Sequence, residues 1–140
     1  MLILKPFIGI NNFTFNHNEE EISRLNGEPF KIEINNIMKQ TKEFRKGTEL
    51  IFINSILQDI YIKKTEPFFY QNINIFNDSD VVEQLSNFSR VVKGKRGTYF
   101  LFEDIGLCLG GFSKKKIPEG KLAIAFSKER TSFYKKFIDV

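Results

Sequence analysis

The sequence predicts an α+β fold of two related halves, each a short helix with an antiparallel meander, joined in one curved sheet with the short helices on one face. Two internal echoes and the segment pattern lead to this reading. Ile10-Asn11-Asn12-Phe13-Thr14-Phe15 leads into Glu19-Glu20-Glu21-Ile22-Ser23-Arg24-Leu25, and sixty positions on Tyr70-Gln71-Asn72-Ile73-Asn74-Ile75 leads into Ser79-Asp80-Val81-Val82-Glu83-Gln84-Leu85. Lys46-Gly47-Thr48 through Phe52 is echoed at an offset of fifty by Arg96-Gly97-Thr98 through Phe102. Between these lie short apolar segments bounded by Asn, Gly and Pro, the mark of strands joined by tight turns. The expected organisation is one compact domain, 1–140, of two structural repeats, about 1–65 and 66–140.

Residues 2–4 suit a short strand ended by Pro6, and residues 7–15 alternate around Phe7, Phe13 and Phe15 with a turn at Gly9 to Asn12. A helix then begins. Asn18 can cap it, Glu21 can close a capping box, and Glu19, Glu20 and Glu21 offset the helix dipole. Gly27 and Pro29 stop it after about two turns. Phe30 to Ile34 alternates as a half-buried strand. Ile37 to Phe44 suits either a strand or a loop with a helical turn. Glu49 to Ile53 and Ile56 to Lys63 form a hairpin about Asn54-Ser55. Simple alternation puts Ile56, Ile60 and Ile62 on one face, and Leu57, Asp59, Tyr61 and Lys63 on the other.

The second half opens at Pro67 with extended Phe68 to Ile75. Asp78, Ser79 or Asp80 can cap a helix holding Val81, Val82 and Leu85. Phe88 to Val92, Thr98 to Glu103, Ile105 to Leu109 and Lys121 to Phe126 read as strands, with a basic turn at Gly94 to Gly97. Ala123 and Ala125 give one strand face small residues that admit another sheet or a ligand. Phe133, Tyr134, Phe137 and Ile138 suit a last strand or a helical turn equally.

Composition narrows the function. The formal charge is +4, with Lys and Arg scattered apart from Lys114 to Lys116 and Lys135-Lys136, short of the dense basic face of a nucleic-acid binder. The sole cysteine, Cys108, lies in an apolar run without a basic neighbour to activate it, and no internal disulfide is possible. With His17 the sole histidine, a zinc site lacks ligands. There is no Walker spacing, no signal-peptide pattern and no membrane-length apolar run, so the expectation is a cytoplasmic protein without metal, cofactor or small-molecule substrate. No catalytic residue is nominated. If the two hairpins are equivalent, Leu57, Asp59, Tyr61, Tyr99, Leu101 and Glu103 share a face rich in aromatic and charged groups, and this set is the expected partner-binding surface. The alternative is that Leu57 and Leu101 belong to a second core layer.

Ile8-Gly9-Ile10-Asn11-Asn12-Phe13-Thr14-Phe15, followed by Glu20-Glu21-Ile22 and Gly27-Glu28-Pro29, resembles the opening of small bacterial domains related to the beta-lactamase inhibitor protein and the SmpA/OmlA outer-membrane assembly lipoproteins. Gly9, Phe13, Phe15, Glu21, Ile22, Gly27 and Pro29 match that pattern; Asn16-His17-Asn18 replaces its usual Gly-Met-Ser. The resemblance implies a sheet that clamps a partner protein, and an immunity protein of the contact-dependent growth inhibition kind that occludes a secreted toxin's C-terminal domain. The net positive charge then requires either a toxin that is not strongly basic or local clustering of the acidic residues. The alternative is a small nucleic-acid-associated module using Lys93 to Arg96 and Lys114 to Lys116. A carboxylate enzyme built on Asp59 is the third reading.

Overall fold

The computed structural model of the chain describes residues 1–113, 117–118 and 120–139. Its first strands, β1 (Leu2–Lys5), β2 (Gly9–Ile10) and β3 (Phe13–Thr14), are followed by helix α1 (Glu19–Asn26). A meander of β4 (Lys31–Asn35), β5 (Gln40–Arg45), β6 (Thr48–Ile53) and β7 (Ile56–Ile62) completes the first half. The second half has no counterpart of β1 and otherwise repeats this order with β8 (Phe68–Tyr70), β9 (Ile73–Asn74), α2 (Val81–Leu85), β10 (Val91–Lys93), β11 (Tyr99–Phe102), β12 (Leu107–Gly110) and β13 (Leu122–Phe126). A 3-10 turn (Lys128–Arg130) leads into α3 (Thr131–Phe137). The fold is α+β.

The strands form two sheets. One has five strands in the order β3-β2-β1-β8-β9, with β1 and β8 parallel. The other has eight antiparallel strands in the order β10-β11-β12-β13-β7-β6-β5-β4. The last strands of the two meanders meet at its centre, Ile124 opposite Tyr61, so each half contributes four strands in mirrored order.

The echo at sixty falls on equivalent hairpins. Ile10 pairs with Phe13 across Asn11-Asn12, and Tyr70 with Ile73 across Gln71-Asn72. Asn11 and Gln71 both take positive φ, 50° and 54°. The echo at fifty does not match in this way. Gly47-Thr48 turns β5 into β6, whereas Gly97-Thr98 turns β10 into β11, whose topological counterpart is the β4–β5 turn.

α1 starts as its sequence requires. The Glu21 N–H donates to Asn18 Oδ1 at 2.8 Å, and the Asn18 N–H donates to Glu21 Oε1 at 3.0 Å. Ile22 is its buried anchor. Arg45 on β5 reaches the other end, donating to the Gly27 carbonyl at 2.7 Å and to Ser23 Oγ at 3.3 Å, so a cation satisfies the C-terminal carbonyls and ties helix to sheet. α2 differs: its cap residue Asp80 sits at φ 55° and makes no side-chain cap bond, while Asp78 instead accepts from the Asn74 N–H at 2.9 Å.

The main core lies between the two sheets, with Ile22, Leu50, Phe52, Ile60, Phe68 and Phe102 fully buried in it. Ala123 and Ala125 belong to this layer, where β2 of the small sheet approaches β13, so their lack of bulk serves sheet packing. Gly9 has a related role: at φ 149°, a Cβ there would lie 2.0 Å from the Phe13 carbonyl oxygen. A second apolar layer lies on the other face of the large sheet, where Tyr134 and Ile138 of the C-terminal helical segment cover Leu101, Cys108, Ile124 and Phe126. The segment that suited strand or turn equally is thus a helix, on the face opposite α1 and α2.

The alternation assumed for β7 breaks at a bulge. Ile51 pairs with Asp59 but Phe52 pairs with Leu57, leaving Gln58 unpaired. Gln58 is held there from both sides: its Nε2 donates to Asn16 Oδ1 at 3.3 Å, its Oε1 accepts from the Ser127 hydroxyl, and its carbonyl accepts from the Ser127 N–H at 2.9 Å. Leu57 consequently joins Ile60 and Ile62 in the main core, and the expectation that it faces a partner is corrected. The Ile37–Phe44 stretch resolves into a turn followed by β5.

Candidate protein-binding surface

Five of the six expected partner-facing residues do share a face of the large sheet, but α3 is seated on it. Leu101 is fully buried beneath that helix. Asp59 is 2% exposed and forms a bidentate pair with Arg130, Nε to Oδ1 at 3.1 Å and Nη2 to Oδ2 at 3.0 Å. Arg130 stacks 3.9 Å from the Phe133 ring centroid, and Tyr134 stacks on Phe126 at 4.4 Å. Glu103 pairs with Lys135 of α3 and with Arg90, both at 3.6 Å. Tyr99 meets Phe137 edge-on at 5.0 Å. The set forms the bed of the chain's own C-terminal helix.

Burial dominates the electrostatics here. It raises the Asp59 carboxyl above its ordinary range, outweighing the hydrogen bonds and charge of Arg130. Tyr61 and Tyr134 are raised by burial and then by the Asp59 charge. The Tyr134 hydroxyl lies beside this pair, yet no described group meets it in regular hydrogen-bond geometry. Burial pushes the Cys108 thiol up to about 12, so it carries essentially no thiolate at neutral pH. His17 adjoins α1, whose core contacts lie in the other layer, so no Cys–His pair forms; its backbone carbonyl accepts from the Leu57 N–H at 2.8 Å. Among the described residues no group of three or more His, Cys, Asp or Glu could hold a metal, and no helix is long and apolar enough to cross a membrane.

A cleft of about 490 Å³ remains beside α3, lined by Tyr61, Tyr99, Leu122 and Phe137 and by the cations Lys63, Lys64 and Lys121. Its one acidic residue, Glu49, pairs with Lys42 and Lys63, each at 3.7 Å. In the basic hairpin of the nucleic-acid reading, the Lys95 N–H is bound to Asp139 Oδ1 at 2.8 Å and Lys93 lies over Phe100. Lys114 to Lys116 lie outside the described residues.

The open surface is at the opposite end of the large sheet. Among the described residues twelve large hydrophobic side chains are exposed, and six of them fall within residues 25–38: Leu25, Phe30, Ile32, Ile34, Ile37 and Met38. Ile37 is 95% exposed at the tip of the β4–β5 turn. All five residues of β4 are exposed, and the strand pairs on one side only, with β5. The other sheet edges are β3 and β9 with two residues each and β10 with three. Short edges resist unwanted pairing, whereas β4 is long enough to template a strand.

Beside β4 the chain places its acidic residues. Ile32 pairs with Glu43 and Ile34 with Thr41, and these four side chains line a groove of about 540 Å³ closed on the other side by Glu19, Glu20, Ser23 and Arg24 of α1 and by Glu28. Arg24 is taken by Glu20 at 3.2 Å, and Glu43 by Arg45 at 3.1 Å. Neither Glu19 nor Glu28 has an ion-pair partner among the described residues, and Glu19 Oε1 is buried without a hydrogen-bond donor. Burial raises the Glu43 carboxyl despite Arg45, and the charges of Glu19 and Glu28 raise it further. The floor of the groove therefore sets an apolar strip, Ile32 and Ile34, beside Thr41 and Glu43, and its rim is negative, Glu19, Glu20 and Glu28 against Arg24. In the sequence Glu19 and Glu20 are explained by the helix dipole and Ile32 and Ile34 by a half-buried strand; the groove arises because β4 is the last strand of its sheet.

Compared with protein-family models, curated proteins and solved structures, this chain matches none.

Proposed function

We propose that this chain is a binding protein that neutralises a cognate toxin domain by stoichiometric occlusion, and that it engages its target through β4, the β4–β5 turn and the acidic groove beside α1. The observation that carries the binding role is the concentration of exposed apolar side chains on and around one edge strand: Ile32 and Ile34 on β4, with Phe30 before it and Ile37 and Met38 in the turn after it. Clustered exposed apolar side chains rimmed by polar groups are typical of protein–protein contact. The toxin as target comes from the resemblance of residues 8–29 to immunity-type domains. The negative rim supplies the local acidic clustering that a basic target requires of a chain with net charge +4.

The test is co-expression with the product of the adjacent open reading frame. Expression of that product alone should arrest growth, this chain should restore it, and the two should purify as a stoichiometric complex. Ile32→Asp with Ile34→Asp should abolish rescue while the variant stays folded. An adjacent product that is harmless, or that kills regardless of this chain, would overturn the reading.

A further inference from the structure

Resting on that reading, we infer that the target binds by adding a strand to β4: an extended segment alternating basic and apolar residues, with its basic side chains on the groove face, their aliphatic stems over Ile32 and Ile34 and their charges toward Glu19, Glu20 and Glu28. Along an antiparallel edge strand every second residue turns its N–H and C=O away from its neighbour, so β4 offers a row of unpaired backbone groups. Both free elements of the site, backbone edge and groove, lie along the same strand, so one extended segment can satisfy them together.

A second copy of this chain fits less well. An isologous contact sets each surface against itself. Antiparallel pairing of β4 with its symmetry mate about a two-fold normal to the sheet places both acidic grooves on one side of the joint. Centred on Glu33, it also puts that carboxylate opposite its own copy. Like charges directly opposed are destabilising, so charge selects a basic partner over self-association.

Synthetic peptides of roughly six residues, the usual length of a strand, give the test. One alternates Lys and Val, a second alternates Glu and Val, and a third is the Lys/Val peptide N-methylated along one edge. Titration with the intact protein should show saturable binding of the first, and binding weaker by about tenfold or more for the other two, as lost charge complementarity and lost backbone bonds require. Hydrogen exchange should show β4 amides slowed only by the first. Equal binding of the Lys/Val and Glu/Val peptides, equal binding after N-methylation, no saturable binding of the first at millimolar concentration, or dimerisation through β4 in place of peptide binding would each overturn strand addition. The outcome is separable from the broader reading: if the adjacent gene product is neutralised through Ile32 and Ile34 while β4 amides in that complex exchange as in the free protein, side-chain docking stands and strand addition falls.

Discussion

The Arg130 guanidinium grips the Asp59 carboxylate with two parallel hydrogen bonds, 3.1 and 3.0 Å, and so fixes the start of the C-terminal helix to the central strand of the large sheet. Asp59 is the more buried partner, its side chain 3% exposed against 20% for Arg130. The two truncations should therefore differ. Arg130→Ala strands a buried carboxylate and should cost about 3–5 kcal/mol. Asp59→Asn leaves a guanidinium that can turn toward water and should cost less, about 1–3 kcal/mol. Urea denaturation of both variants checks the order.

The pH dependence of this contact has a defined sign. The folded-state pKa values of Asp59 and Glu43 are both raised, so the native state holds these protons more tightly than the unfolded chain. Their contribution to stability is fully present below the ordinary carboxyl values, 3.8 and 4.5, and is lost as pH rises through the folded values. Asp104, lowered by its hydrogen bonds with Arg90, acts in the opposite sense, its stabilisation present above 3.8 and lost as pH falls through its folded value. Replacing Asp59 by Asn and Glu43 by Gln should steepen the loss of stability on acidification, because the opposing contribution of Asp104 remains. Denaturant midpoints measured across the acid range report this directly.

Cys108 should be inert while α3 is docked. The thiol is 1% exposed beneath Tyr134 and Ile138 and is raised to about 12. Tyr134→Ala removes a fully buried ring that stacks on Phe126, at a cost of about 3–5 kcal/mol. The variant's thiol should react with iodoacetamide far faster than the parent's under native conditions. Equal rates would mean that α3 does not shield this layer.

Gly9 should tolerate no side chain. At φ 149° a Cβ would run into the Phe13 carbonyl, a backbone atom that cannot swing aside. Gly9→Ala should destabilise by about 2 kcal/mol or more, since it breaks the β2–β3 pairing that carries Ile10 into the core. Gly27→Ala meets no atom within 4 Å and suffers only its positive φ of 77°, at about 1 kcal/mol. Thermal melts of the two variants separate close approach from backbone conformation.

These contacts also show which features could be read from the sequence. The α1 capping box and the Asn11-Asn12 and Asn54-Ser55 turns were legible because each depends on residues within three or four positions of one another. Leu57 was misplaced because the bulge that turns it inward is held by Asn16 and Ser127, 42 and 69 positions from Gln58. The Gly-Thr echo paired turns that resemble each other locally but occupy different places in the sheet. The bed of α3 looked like a partner surface because it has that composition; the helix that covers it comes from the end of the chain. The β4 edge was hidden for the converse reason. Its alternation was plain, but an edge strand and a central strand read alike until the sheet order is known.

Surface and core substitutions should separate stability from binding. Leu50→Ala in the main core should cost about 2–5 kcal/mol. Ile32→Asp with Ile34→Asp lies on exposed β4 and should change stability by roughly 0.5 kcal/mol per site or less. The most direct measurement is the affinity of the adjacent gene product for this double variant beside that of Tyr61→Ala with Tyr99→Ala in the α3 cleft. The β4 variant should bind more weakly by about a hundredfold or more, as for a truncated hot spot, and the cleft variant with near-parental affinity. Tight binding by the β4 variant, with loss in the cleft variant, would contradict binding through β4.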